Sequence, residues 1–162
     1  NNKSLISVVH KKNQKKESID FSNLIIALDS VSDPGNLGTI IRIADWFNIK
    51  SILCSKNTVD LYNSKVIQSS MGSFTRVDVF YDNLEDIIGS KDISVFGTST
   101  DGIDINKFEK PDKGIILFGS EAQGVREHLK KYVDKWISIK KNGGAESLNV
   151  SVSVGIILHK MT

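Results

Sequence analysis

The chain has 162 residues, 40% of them hydrophobic and 25% charged, with a formal net charge of +2. That length and balance suit one domain with a proper core and argue against disorder over most of the chain. The longest apolar runs fall far short of the roughly 20 residues that a membrane-crossing helix needs, and no apolar leader with a cleavage site is visible.

The polar opening, before about Phe21, carries a basic cluster, "HKKNQKK" at residues 10–16. It reads equally well as a solvated linker or as an arm that contacts phosphates. "LIIALDSV" at 24–31 is a short apolar strand that ends at a turn, "DPGN". "NLGTIIRIADWFNI" follows with Ile40, Ala44 and Phe47 at helical spacing. "SILC" predicts a strand, "NSKVIQSSMG" a helix with a glycine stop, and "RVDVFY" a strand. "NLEDIIG" is a short helix, "ISVFGTST" and "GIILFGS" are strands, "VREHLKKY" is helical, and "KWISI" is the last clear strand.

Strands alternating with helices imply an α/β fold, a mostly parallel sheet with helices on both faces. In such sheets ligands bind beyond the C-terminal ends of the strands. Three strand ends run into glycine or small polar residues: "DPGNLG", "FGTST" and "FGSEAQG". The final segment is ambiguous. "LNVSVSV" alternates strictly, which favours a strand on period alone, whereas a helix there would be apolar on most sides.

Each polar constellation has a plain reading and a functional one. "FGSEAQGV" brings backbone amides close to a ligand, or simply joins a strand to a helix. It lacks both the Lys of a phosphate loop and the GxGxxG spacing, and Glu121 would repel phosphate, so a neutral or cationic ligand suits it better. In "DPGNLGTIIR", Gly38 lies one turn before Arg42 and would leave room beside the guanidinium; the plain reading is a capping Asn36 and a solvent-facing Arg42. In "GGAESLNVS", Ser147 reads as a helix cap, which leaves Asn149 unexplained. Cys54 is the only cysteine, so no internal disulfide is possible, which fits a reducing cytoplasm; its apolar setting makes it a small core residue. His10, His128 and His159 show no metal-type spacing, and no metal is expected.

Together, "DPGNLGTIIRIADWF", "ILFGSEAQGV" and "GGAESLNVSVSVGIIL" resemble the three motifs of the SpoU-type RNA methyltransferases of the SPOUT superfamily, in order and in spacing, over residues 24–160. The resemblance implies an α/β fold with a C-terminal trefoil knot, which nothing in composition or periodicity reveals. It also implies S-adenosylmethionine as methyl donor, a homodimer, and transfer to a ribose 2′-hydroxyl of ribosomal or transfer RNA. The alternative is an RNA-binding module that keeps the fold without the chemistry. The family's last segment is a helix, so a helix is expected over 148–160. Its polar set falls on Asn36, Arg42, Glu121, Ser147 and Asn149. Its cofactor contacts fall on Thr98, Gly119, Ile139 and Leu148, with Gly97, Ser99, Phe118 and Gly124 beside them. Arg42 would act as base or as an orienting group, since a free guanidinium has a pKa above about 12. Lys140-Lys141 stand where the family commonly has Pro-Met, and Ala122 where it commonly has Gly. The two lysines add positive charge that would favour RNA. The expected organisation is a linker end over 1–20, following an RNA-binding domain outside this sequence, and a catalytic domain over 21–162.

Overall fold

The computed structural model describes residues 8, 10–12, 16–90, 92–120 and 122–162. Part of the basic cluster at 10–16 therefore lies outside the described residues, as does Glu121. Six strands form one sheet in the order β3-β2-β1-β5-β4-β6. They are β1 (Leu24–Leu28), β2 (Ser51–Ser55), β3 (Asp78–Asp82), β4 (Val95–Asp104), β5 (Gly114–Phe118) and β6 (Lys135–Ser138). Every pairing between them is parallel. Strands β1, β2 and β5 are buried at every position, which is why they read as unbroken apolar runs.

Alternation along the strands divides the interior in two. Leu24, Ile26 and Leu28 of β1, with Ile116 and Phe118 of β5, face a core shared with α1 (Pro34–Trp46), α2 (Ser64–Ser70) and α5 (Val150–Met161). Ile25, Ala27, Ile115 and Leu117 face the other core, with α3 (Leu84–Gly89) and the single turn α4 (Glu127–Lys130). The sequence suggests a longer helix at α4 than the one turn that forms.

Helix α1 starts with Pro34 in its first turn, and its cap is Asp33, whose carboxylate accepts the Asn36 N–H at 2.8 Å. Asn36 is thus not the cap. Gly38 does not leave room beside Arg42 either. A Cβ there would stand 1.9 Å from Ser69 Oγ and 2.7 Å from the Val66 carbonyl oxygen, so the missing side chain lets α2 press onto α1.

Residues 150–161 form a helix, α5, capped by Asn149 rather than by Ser147. The Asn149 side-chain oxygen accepts from the N–H groups of Ser151 and Val152. Val150, Val154, Ile157, Leu158 and Met161 are buried. Gly155 faces Ile43 of α1, with 3.6 Å between the position of an added Cβ and Ile43 Cδ1. Strand β4 runs further than "ISVFGTST" suggests. Its pairing with β6 shifts register between Thr98 and Ile103, so residues 99–102 loop out before the strand resumes. Gly102 makes the return possible, because a Cβ there would lie 2.6 Å from the Ile137 backbone.

Candidate ligand cavity

A cavity of about 860 Å³ opens beyond the C-terminal ends of β4, β5 and β6. Three separated stretches wall it: residues 98–101 where β4 loops out, 118–120 with 123–125 after β5, and residues between 136 and 148 from β6 onward; Val150, Ser153 and Ile157 of α5 also line it. Phe118, Trp136, Ile139 and Leu148 provide apolar walls, and Asp101 and Glu146 add carboxylates. Lys140 and Lys141 line the same cavity and are exposed.

The wall after β5 is a loop closed on itself. The Gly124 N–H donates to the Ser120 carbonyl at 2.8 Å, and Gly124 has a left-handed φ of 63°. Gly119 passes so near the far side of the loop that a Cβ would stand 1.9 Å from the Gly124 carbonyl carbon. The loop therefore offers backbone to the cavity where any side chain at 119 would force it open.

Seven of the eight positions expected to touch a cofactor line this cavity: Thr98, Ser99, Phe118, Gly119, Gly124, Ile139 and Leu148. Gly97 lies just outside the lining, and its lack of a side chain seats the Trp136 ring, which a Cβ would approach to 2.7 Å. Of the polar set, Ser147 lines the cavity. Asn149 and Asn36 stand beside it and are joined, Asn149 Nδ2 donating to Asn36 Oδ1 at 2.9 Å across 113 positions of sequence. Arg42 is not brought to the cavity. It is exposed on α1 and makes no hydrogen bond or ion pair among the described residues. Glu121 lies outside the described residues. Cys54 is buried in β2, and burial pushes its thiol up, which removes it as a nucleophile. Among the described residues no cluster of His, Cys, Asp and Glu could hold a metal.

Two residues that sequence reasoning passed over sit next to the site. Asp29, read only as the end of an apolar strand, is fully buried and paired with Arg126. Trp136, read as part of a strand, is a wall of the cavity. No spacing signal could have found the first pair, since 97 positions separate them.

An all-parallel α/β sheet with a ligand-sized cavity beyond the C-terminal ends of its strands has the form of a small-molecule-binding domain. Residues 23–159 match the SpoU rRNA Methylase family, and the chain belongs to it. It is 29% identical over 150 residues to the 23S rRNA (guanosine(2553)-2′-O)-methyltransferase RlmP of Bacillus subtilis, covering 90% of this chain and 60% of that protein. An AdoMet-bound rRNA methyltransferase from Sinorhizobium meliloti superposes with a TM-score of 0.81 at 31% identity, over 88% of this chain and 56% of that one. The SpoU methyltransferase AviRb from Streptomyces viridochromogenes, in complex with AdoMet, gives 0.81 at 25%, over 89% and 61%. The α/β fold expected from the three motifs, with its C-terminal trefoil knot, is the one this chain shares with these structures. The chain spans about 60% of the length of these three relatives.

Proposed function

We propose that this chain transfers a methyl group from S-adenosylmethionine to a ribose 2′-hydroxyl of ribosomal or transfer RNA, in the cytoplasm. The observation that carries this reading is the convergence of residues 98–101, of 118–120 with 123–125, and of residues between 136 and 148 on one cavity. The similarity to AdoMet-bound structures supports the choice of donor. The cavity fits such a donor. It is large enough, part of its wall is apolar as an adenine requires, its glycine loop presents backbone, and Asp101 and Glu146 suit cationic groups. When bound, the donor supplies an electrophilic methyl on a good leaving group.

What remains for the protein is placement of the hydroxyl and care of its proton. Ser147, Asn149 and Asn36 hold the sugar and its backbone beside the cavity mouth. Lys140 and Lys141 draw in the phosphates. Arg42 orients the hydroxyl and a phosphate of the substrate, which shares the hydroxyl's proton until water takes it as the methyl leaves sulfur, and Glu121 would steady Arg42. Because Arg42 faces solvent in one chain, we assign it to the site of a second copy. Trp46 is 84% exposed on α1, and Val152 and Ile156 of α5 are also exposed. That apolar face next to Arg42 is what a homodimer would cover. Residues before Phe21 are then the end of a linker to an RNA-binding domain outside this sequence.

The test is methyl transfer from labelled S-adenosylmethionine to RNA from cells lacking the gene product. The expected product is a dinucleotide resistant to alkali, the mark of a blocked 2′-hydroxyl, and Arg42→Ala should lose it while still binding the donor. Label in an alkali-released nucleotide would refute ribose as the target. No donor binding at millimolar concentration would favour the silent RNA-binding module.

A further inference from the structure

Asp29 is a buried carboxylate that the reaction above does not use. It closes β1, and the chain leaves it through Ser30 in a left-handed conformation, φ 62°, which is uncommon for a residue with a side chain. Its backbone N–H donates to the Phe118 carbonyl at 2.8 Å. Its Oδ2 accepts the Arg126 backbone N–H at 2.9 Å, and its Oδ1 accepts Arg126 Nε at 2.7 Å and the terminal guanidinium nitrogen at 2.6 Å. Ser30 Oγ donates to the same oxygen at 3.2 Å. Asp29 is 0% exposed, whereas the Arg126 side chain is 30% exposed.

The two places that Asp29 grips are the two ends of one loop. Phe118 is its entry and Arg126 its exit, and Gly119, Gln123, Gly124 and Val125 between them line the cavity. The loop itself is tight, with Gly119 against Gly124, so its shape depends on how far apart its ends are held. A fork of charge-assisted hydrogen bonds fixes that spacing more stiffly than packing alone. We propose that Asp29, acting through Arg126, is a positioning residue for the donor: it staples both ends of the cavity loop and so sets affinity for S-adenosylmethionine. This rests on the reading of the cavity as the donor site.

The experiment measures donor affinity by calorimetry and melting temperature for the whole protein and four variants. Asp29→Asn replaces one accepting oxygen by an amide that faces donors. Arg126→Met leaves the carboxylate buried without its partner. Each should bind S-adenosylmethionine at least tenfold more weakly and melt lower. The double variant, Asp29→Asn with Arg126→Met, has no stranded charge and should recover melting temperature over Arg126→Met alone. Its donor affinity should stay low, because the fork is still gone. Recovery of both together, or wild-type affinity in folded Asp29→Asn, would overturn the proposal. Leu148→Arg, at an exposed cavity position, tests the underlying reading separately. Loss of binding there with none in Asp29→Asn sinks only the staple; unchanged binding in Leu148→Arg sinks the cavity as donor site.

Discussion

Replacing Gly119 by alanine is the most severe small change the structure allows. The added methyl would stand 1.9 Å from the Gly124 carbonyl carbon, 2.1 Å from the Val125 nitrogen and 2.2 Å from the Gly124 carbonyl oxygen. All three are backbone atoms, so no rotamer change relieves the clash. Ordinary contact begins near 3.4 Å, so one side of the loop must move by about 1.5 Å. That displacement breaks the bond between the Gly124 N–H and the Ser120 carbonyl. Overpacking costs about 1–3 kcal/mol, and a clash with backbone belongs at the upper end. At about 2–4 °C per kcal/mol for a chain of this size, the melting temperature should fall by roughly 6–12 °C. Donor affinity should fall at least tenfold. Gly143→Ala is the comparison, because a Cβ at 143 meets nothing within 4 Å and the residue has no left-handed φ. It should melt within about 4 °C of wild type, since Gly→Ala without strain changes stability by only about 0.4–1 kcal/mol. Scanning calorimetry with a donor titration reads both. If Gly119→Ala melted and bound donor like the wild type, the argument that this loop is held closed by the missing side chain would be wrong.

Four further outcomes are expected. Asn149→Ala removes the cap of α5, so the melting temperature should drop by a few degrees, the cost of an N-cap being about 1 kcal/mol. Asn149→Asp keeps the accepting oxygen but loses the donor to Asn36, so it should retain stability and lose methylation, as a melt and a transfer assay would report. Hydrogen bonds from Arg76 and then Ser73 hold the Asp45 carboxyl below its usual range. A carboxyl lowered on folding stabilises above its unfolded value, near 3.8, and loses that stabilisation as pH falls through the folded value. Arg76→Gln should therefore destabilise at pH 7, and its deficit against the wild type should shrink as the pH is taken below about 3.8, in melts across that range. Trp46→Glu should turn a dimer into a folded monomer by light scattering, because the ring is exposed in the single chain and its loss leaves the core intact.

The strands were legible because the central ones are buried on both faces. "LIIAL" and "GIILF" are continuous apolar runs for that reason, and β3, half exposed, already reads less cleanly. The last helix was not legible from period. The apparent alternation in "LNVSVSV" arises because Val150 and Val154 meet the core while Val152 faces outward, so valines ring the helix. Only the resemblance to a family decided that segment. Ser147 was read as the cap and Asn149 as the residue without explanation; the structure reverses their places, since either side chain could have capped and the sequence does not say where the turn begins. Gly38 misled in the same way. A missing side chain signals close approach, but not which element approaches, and here it is α2. Partners separated by about a hundred positions, such as Asn36 with Asn149 or Asp29 with Arg126, leave no local trace at all.

Helix α5 is the last of the described elements in chain order, yet it packs on α1, which comes from the first third. Until the ribosome has made it, Ile43 lacks the surface it meets at Gly155, and the core that α1 and α2 share with the sheet lacks Val150, Val154, Ile157, Leu158 and Met161. The nascent chain must therefore wait, exposed to chaperones and to its neighbours, for α5. A frameshift or an early stop just before Asn149 would leave all six strands and still yield a product fit only for degradation.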